Sequence, residues 1–228
     1  MNELKSIYDN YKYIICLDTE TTGLSPKTCQ IIDLGVIVME NVCGNIKEVM
    51  QINSLIKLTD PTATLPKDIV ELTHITDDML REKGEDILDV KKKFGEILSL
   101  PGKKLIATYN AEFDLSFLRY FLRGYKFQDL DFLDILTIYK DRADYPHKLF
   151  LAVSHYGLDD KVANTHRALD DTYACFEVLK AMSLENDDII KYVNLFGYNP
   201  KFGVPKEQIK NVKYKAQSFE RDYPLYLK

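Results

Sequence analysis

Four carboxylates in the sequence stand where ordinary surface acids are not expected. Asp18 and Glu20 fall on one face of the first predicted strand if that strand runs as far as Glu20, because side chains alternate along a strand. Asp114 lies in a predicted helix over residues 111–123, three, four, seven and eight residues before the apolar side chains of that helix. At about 100° per residue, these spacings place Asp114 on the buried face.

A second predicted helix, over residues 168–182, shows the same arrangement. Asp171 stands four residues before Cys175 and continues its apolar face, whereas Asp170 falls on the polar face. Any one inward acid is explained as well by a buried aspartate with a hydrogen-bonding partner. Four such acids together favour a site in which the carboxylates converge.

Converging carboxylates in a partly buried place raise each other's pKa values, so they need cations as partners. Oxygen ligands without a cysteine or histidine cage suit Mg²⁺ or Mn²⁺. Two such ions about 4 Å apart are typical of sites that hydrolyse phosphodiesters. Because histidine titrates near neutral pH, His166, just before the second helix, suits the role of a general base. The alternative is a loop histidine that caps this helix.

The elements that must position these residues follow from hydrophobic periodicity. Three β segments in succession, then strands alternating with helices, predict an α/β fold with a mixed sheet and helices packed on it. Gly44 marks a hairpin turn, and Gly124 marks a helix end. The predicted strands cover residues 13–18, 30–40, 45–58, 104–108 and 130–134, and the predicted helices cover 86–98, 111–123, 149–156 and 168–182.

Length and composition are typical of a folded globular protein. The 228 residues are 46% hydrophobic and 29% charged, which predicts one large domain with its own core. No apolar run approaches the roughly 18 residues of a membrane span, and the first residues lack an apolar signal segment. We therefore expect a cytoplasmic protein without a membrane partner. Four cysteines without C-x-x-C spacing argue against a disulfide framework or a zinc ribbon.

The net charge of −5 is unevenly distributed along the chain. Residues 201–228 carry a net charge of +4, so the first 200 residues carry −9. This basic tail fits the binding of a nucleic-acid strand, and it fits equally docking on the body of the chain or on a polymerase. The lysine runs at 91–93 and 103–104 are more typical of solvated faces. The aromatic residues between the lysines of the tail are Phe202, Tyr214, Phe219, Tyr223 and Tyr226.

Three motifs, in this order, resemble those of the DEDDh (DnaQ-like) family of 3′-to-5′ exonucleases, the group that contains the proofreading epsilon subunit of bacterial DNA polymerase III. The motifs are L-D-T-E-T-T-G-L at residues 17–24, T-Y-N-A-E-F-D-L-S-F-L at 108–118 and T-H-R-A-L-D-D-T at 165–172. The segment L-T-H-I-T-D-D-M-L at 72–80 is similar to the family's substrate loop. The resemblance covers about residues 11–185 and implies an RNase H-like fold, a five-stranded mixed sheet flanked by helices.

The resemblance also implies a role for each matching residue. Asp18, Glu20 and Asp171 would hold the first of two divalent cations, Mg²⁺ or Mn²⁺. Asp18 would bridge to the second cation, and Asp114 would reach it through water. His166 would be the general base that activates the attacking water. The residues implied to contact the terminal nucleotide are Thr21, Gly23, Leu24, His74 and Asn110.

Two positions depart from the family's usual motifs. Tyr109 stands where many members have histidine, and His74 stands where glycine is usual. Neither departure removes a cation ligand, so we expect activity to survive. A second pair, His155 and Asp160, repeats the spacing of the third motif, but no apolar helical face carries Asp160 inward, so a helix end and a loop are expected there.

The sequence thus predicts an exonuclease domain over residues 1–185 and a C-terminal extension over 186–228. We expect metal-dependent release of nucleoside 5′-monophosphates from the free 3′ end of single-stranded or frayed nucleic acid. DNA is favoured over RNA, and the chain acts alone or as the proofreading partner of a DNA polymerase. The alternatives are a silent module that binds nucleic acid or a polymerase, an RNA-trimming exonuclease and an RNase H-type endonuclease. The oligomeric state stays open.

Overall fold

A five-stranded mixed sheet forms the centre of the computed structural model, which describes residues 3–124, 129–163, 165–218 and 223–228. Its strands are β1 (Tyr13–Thr21), β2 (Ile31–Val42), β3 (Asn45–Leu55), β4 (Lys104–Thr108) and β5 (Asp131–Asp134). The strand order is β3-β2-β1-β4-β5, with antiparallel pairing from β3 to β1 and parallel pairing from β1 to β5. The predicted α/β class and RNase H-like sheet are confirmed.

Eight α-helices accompany the sheet in the described part of the chain. The predicted helix ending at Gly124 is wrong at that end, because Leu122 already leaves the helical conformation (φ −91°, ψ 25°). Four helices of four to eight residues were not predicted, since so few residues show no helical period. None of the helices described is both long and apolar enough to cross a membrane. The helices are α1 (Lys5–Tyr8), α2 (Lys67–Thr73), α3 (Asp77–Lys83), α4 (Ile87–Leu98), α5 (Ala111–Phe121), α6 (Ile135–Arg142), α7 (Leu149–His155) and α8 (Ala168–Glu185).

Side chains of β1 alternate between two hydrophobic cores, one on each face of the sheet. Ile14 and Cys16 belong to the core that includes α8, whereas Ile15 and Leu17 belong to the core that includes α4 and α5. Because this central strand is buried on both faces, its first five residues are all apolar. Polar residues begin at Asp18, where the strand leaves the two cores.

The start of α8 lies directly against β2 at Gly35. A Cβ atom at Gly35 would lie 2.3 Å from the backbone carbonyl of Ala168, so glycine is needed for this approach. The Thr172 hydroxyl donates a hydrogen bond to the Gly35 carbonyl (3.2 Å). The Ala168 N–H donates to the Asp33 carboxylate (3.3 Å). Strand β2 thereby sets the position of the first turn of α8.

The C-terminal extension lies along the outer edge of β5. Its two short strands, β6 (Leu195–Tyr198) and β7 (Lys213–Ala216), pair in parallel. The Asn194 N–H donates to the Phe132 carbonyl of β5 (2.8 Å), and Asn194 Oδ1 accepts from the Phe132 N–H (2.9 Å). Of the open alternatives for the tail, docking on the body therefore occurs. Phe219, which was counted among its aromatic residues, lies outside the described residues.

We expect Gly35→Ala to lower the free energy of unfolding by about 1–3 kcal/mol, because the added methyl group meets backbone atoms that cannot move aside. Denaturant unfolding measures this loss, and hydrogen exchange should quicken at the amides of residues 168–172. The control is Gly44→Ala in the β2–β3 hairpin, where φ is +87° and no atom lies within 4 Å of the added group. Its effects should stay within the hairpin, and undisturbed exchange at the start of α8 in Gly35→Ala would contradict the close approach.

Candidate active site

The end of β1 supplies the first two acids of the site. Asp18 stands opposite Gly35, and Glu20 stands opposite Asp33, in the antiparallel pairing with β2. The register shifts between Glu20 and Thr21, so the chain turns away directly after the second acid. Both side chains are half-buried. The predicted extension of the strand through Glu20 is confirmed.

Asp114 comes from the first turn of α5 and is 2% exposed. Its Oδ1 accepts hydrogen bonds from the Thr19 backbone N–H (3.0 Å) and the Thr19 hydroxyl (2.7 Å). Its Oδ2 accepts from the Thr108 hydroxyl at the end of β4 (2.9 Å). These three bonds connect α5 to the ends of β1 and β4, and they explain how the carboxylate is held on the inward face predicted for it.

The start of α8 supplies Asp171, which is buried, and the preceding loop supplies His166, which is exposed. One ligand atom each from Glu20, His166 and Asp171 lies within 4.8 Å of the other two. Asp170 is turned away and accepts a hydrogen bond from the Thr165 hydroxyl (2.6 Å). The predicted facing of the two neighbouring aspartates is therefore confirmed.

Asp33 is a fully buried carboxylate beside the site that sequence reasoning missed. Its Oδ2 accepts a hydrogen bond from Arg167 Nε at 2.9 Å, in addition to the one from the Ala168 N–H. Burial raises the pKa of Asp33, and the Arg167 guanidinium opposes that rise. The ion pair fixes the residue that follows His166, whose own backbone is left-handed (φ +54°). Only the fold brings these two residues together, 134 positions apart in the chain.

The acids of the cluster are strained electrostatically. Burial, followed by the charges of Asp114 and Asp171, raises the pKa of Asp18 well above its usual range. Burial and Asp171 raise the pKa of Glu20 to about 8. Burial raises the pKa of Asp114 to about 7, although its hydrogen bonds oppose the shift. Carboxylates in this state hold protons near neutral pH unless cations replace them, so the oxygen-rich cluster fits divalent cations.

A cavity of about 520 Å³ opens beside the cluster. All four acids and His166 line it, as does Asn110, but Thr21, Gly23, Leu24 and His74 do not. The cavity also contains motif residues that were given no role in the site, which are Thr19, Leu72, Tyr109 and Phe113. Five further lining residues lie outside the motifs, in α6 and around the start of α7, and they are Leu136, His147, Lys148, Leu149 and Phe150.

Both departures from the family motifs have a local explanation. His74 ends α2 with a left-handed backbone (φ +57°), the conformation that glycine adopts without strain, so glycine at this position serves the same turn. The Tyr109 hydroxyl donates a hydrogen bond to the His147 carbonyl (2.8 Å), which connects the second motif to the segment before α7.

His155 and Asp160, the pair that repeats the spacing of the third motif, do not line the cavity. The His155 ring packs edge-on against Tyr139, with centroids 5.7 Å apart, at the end of α7. Asp160 is exposed in the turn that follows. The predicted helix end and loop are confirmed at this place.

Fold and site together define an RNase H-like nuclease domain. A sequence model of an exonuclease family (RNase_T: Exonuclease) matches residues 15–179. The chain belongs to this exonuclease family, and the resemblance to DnaQ-like exonucleases is confirmed.

Individual relatives agree with this placement. The chain is 33% identical over 182 residues to the PolC-type DNA polymerase III of Clostridium perfringens, covering 77% of this chain and only 11% of that protein. It is 32% identical over 176 residues to the DNA polymerase III subunit epsilon of Treponema pallidum, covering 72% of this chain and 74% of that protein. E. coli Exonuclease I in complex with a dA16 oligonucleotide shares the fold with a TM-score of 0.67 at 20% identity, covering 79% of this chain and 42% of that one.

The raised pKa values predict how stability depends on pH and on cations. Between the ordinary carboxylate pKa, near 4, and about 8, folded Glu20 holds a proton that the unfolded chain has released. Without cations, the free energy of unfolding should therefore fall as pH rises from 6 to 8, by on the order of 2 kcal/mol for this group. Added Mn²⁺ or Mg²⁺ should raise the melting temperature more at pH 8 than at pH 6.

Thermal unfolding with EDTA or with the cation, at both pH values, measures these changes. Glu20→Gln is the matched control, because it keeps the shape of the side chain and removes the titrating group. Its stability advantage over the wild type in EDTA should grow from pH 6 to pH 8. A wild-type chain that gains stability relative to Glu20→Gln over this interval would contradict the prediction.

Proposed function

We propose that this chain is a metal-dependent 3′-to-5′ exonuclease that releases nucleoside 5′-monophosphates from single-stranded or frayed DNA. The observation that carries the proposal is the convergence of Glu20, Asp171 and His166 beside two further acids in one open cavity. Such a cluster suits divalent cations, and the adjacent histidine suits a proton acceptor. The similarity to an epsilon subunit and to PolC-type polymerases supports the same activity.

The four acids have distinct roles in this proposal. Asp18, Glu20 and Asp171 would hold one cation, and a second would be held by Asp18 and, through water, by Asp114. An all-oxygen set suits Mg²⁺ and Mn²⁺ alike. When bound, the two ions stabilise negative charge at the phosphate and make a water molecule more acidic. The threonine hydroxyls that bond to Asp114 keep its carboxylate in place at the ends of β1 and β4.

His166 accepts the proton of the attacking water. The water oxygen bonds to the phosphorus of the terminal nucleotide, and the bond from phosphorus to the 3′ oxygen of the preceding nucleotide breaks. That 3′ oxygen takes up a proton, and a nucleoside 5′-monophosphate leaves. The Asp33–Arg167 ion pair orients the loop so that the His166 ring faces Glu20 and Asp171.

The loop after β1 is proposed to receive the terminal nucleotide. Leu24 is 87% exposed, so its apolar side chain is available to pack on a base. The Thr21 hydroxyl donates to the Gly23 carbonyl (2.8 Å), which stiffens the loop. Phe113 and Phe150 add aromatic surface to the cavity wall. The proposed contacts of the nucleotide are Thr21, Gly23, Leu24, His74 and Asn110.

DNA is the favoured substrate, with RNA as the alternative, and a DNA polymerase is the favoured protein partner. The names of the relatives support both choices, since they are a polymerase III epsilon subunit, PolC-type polymerases and an exonuclease in complex with a DNA oligonucleotide. The chain covers a small part of the PolC-type proteins. Co-elution with the polymerizing chain of a DNA polymerase III tests the partnership separately from the activity.

The activity is tested with a DNA oligonucleotide that has a 3′ overhang and with its RNA twin, both labelled at the 5′ end. Incubation with Mg²⁺ or Mn²⁺ should produce a ladder that shortens stepwise from the 3′ end, and EDTA should abolish it. The faster twin identifies the substrate class. Intact oligonucleotides that the protein still binds would overturn the proposal in favour of a silent binding module.

Asp171→Asn should lower the turnover number more than about 100-fold, because it removes a cation ligand while the shape of the side chain is kept. Asp170→Asn is the matched control, and its turnover should stay within about threefold of the wild type, as for an ordinary surface change. Circular dichroism checks that both variants fold. If Asp170→Asn is the inactive variant, the assignment of the two aspartates is wrong.

A further inference from the structure

A cleft of about 220 Å³ separates the outer face of α5 from the C-terminal extension. Arg119, Tyr120 and Arg123 line it from α5, and Glu207 lines it from the extension. The Arg123 guanidinium lies over the Tyr120 ring, 4.8 Å from its centroid. Two guanidinium groups and an aromatic ring in one open cleft are typical of surfaces that bind phosphate and bases.

The extension is anchored beside the parts of the site that would receive a nucleotide. The Lys27 ammonium pairs with Glu207 Oε1 at 2.7 Å, three residues after Leu24 in the loop that follows β1. The Tyr214 hydroxyl donates to Glu112 Oε2 (3.1 Å) in the first turn of α5. One wall of the cleft is therefore tied to the proposed nucleotide loop, because Glu207 pairs with Lys27 of that loop.

The extension that forms one wall of the cleft is strongly positive on an otherwise acidic chain. Residues 201–215 contain five lysines and one acid, and that acid, Glu207, is already paired with Lys27. In the described ranges, no ion pair involves Lys201, Lys206 or Lys210. By contrast, Lys93 and Lys103 of the lysine runs pair with Glu85 and Asp131. Among the described residues, these three lysines of the extension thus form a local group of cations without an acidic partner.

Phe202 adds an exposed aromatic side chain to the same extension, five residues before Glu207. Its side chain is 80% exposed, and the Lys201 ammonium lies 5.8 Å from its ring centroid. Packing on the body does not explain an exposed ring, because the buried positions of the same segment are taken by Ile209 and Val212. A base stacked on such a ring gains about 1–3 kcal/mol, and adjacent cations contact the phosphates.

We propose that this surface, named here the basic cleft and defined by Arg119, Tyr120 and Arg123 of α5 with Lys206 next to Glu207 of the extension, binds the single strand upstream of the nucleotide that is removed. This inference rests on the proposed exonuclease function. Arg119 follows Asp114 by five residues, about 7.5 Å along α5, and lies on the opposite side of a helix about 10 Å wide. The basic cleft therefore acts on binding of the strand and leaves the reacting phosphate untouched.

The test compares Arg123→Gln, Lys206→Gln and their combination with the wild type on two substrates. The first is a single-stranded DNA 20-mer. The second is the p-nitrophenyl ester of thymidine 5′-monophosphate, which has no upstream strand. Lys47→Gln is the matched control, because Lys47 is an exposed lysine on β3, at the opposite edge of the sheet.

On the 20-mer, each single variant should raise KM about two- to fivefold, the range of an exposed charge contact, without a change in kcat. The combination should reduce the slope of log KM against log salt by about 1.4, since each single-strand phosphate contact contributes about 0.7. Kinetics on the ester should be unchanged in all variants, and Lys47→Gln should match the wild type on both substrates.

The outcomes separate the two proposals. If the wild type cleaves neither substrate with Mg²⁺ or Mn²⁺, the exonuclease proposal fails, and this inference fails with it. If the wild type cleaves both, but the combined variant keeps the wild-type KM and salt slope on the 20-mer, the exonuclease stands and the basic cleft does not bind the strand. An acidic protein surface would then be the remaining kind of partner.

Discussion

The burial of several carboxylates close together is the constraint on which the rest of this structure depends. A cluster that keeps the pKa of Glu20 near 8 and of Asp114 near 7 costs stability, and the surrounding fold must hold it together. The threonine bonds to Asp114 and the burial of both faces of β1 provide that support. A site assembled under such strain suits divalent cations, because a bound cation would offset the cost of burying the charged acids.

The close contact between α8 and β2 determines where the residues of α8 and its preceding loop lie relative to the acids of β1. Gly35 lets the helix start against the strand, and Asp33 uses one carboxylate oxygen for both Arg167 and the Ala168 N–H. Asp171 and His166 are thereby positioned from β2, while Asp18 and Glu20 are positioned from β1. Because β1 and β2 are paired residue by residue, the two halves of the site cannot move independently.

The residues of the site that could be predicted from the sequence are mainly those whose orientation follows from the hydrophobic periodicity of a helix. Asp114 and Asp171 could be placed inward because each lies on a long helix whose apolar face is visible in the sequence, and the motifs supplied His166. Asp33 could not be found in this way, since a single acid in an apolar strand shows its partner only after β2 and α8 meet. Short helices such as α6 carry too few turns for a period, and the packing of the C-terminal extension depends on asparagine hydrogen bonds that have no sequence pattern.

The hydrogen bonds of Asn194 to the edge of β5 have a consequence for where a fragment of this protein can end. The family match stops at residue 179, and the predicted domain boundary falls at 185. A chain cut at either place would leave the backbone groups of β5 without Asn194, and an open strand edge is a template for pairing with other molecules. Such a fragment would retain the four acids and His166 and yet be prone to aggregation. The smallest well-behaved unit therefore extends into the C-terminal extension, beyond the catalytic motifs.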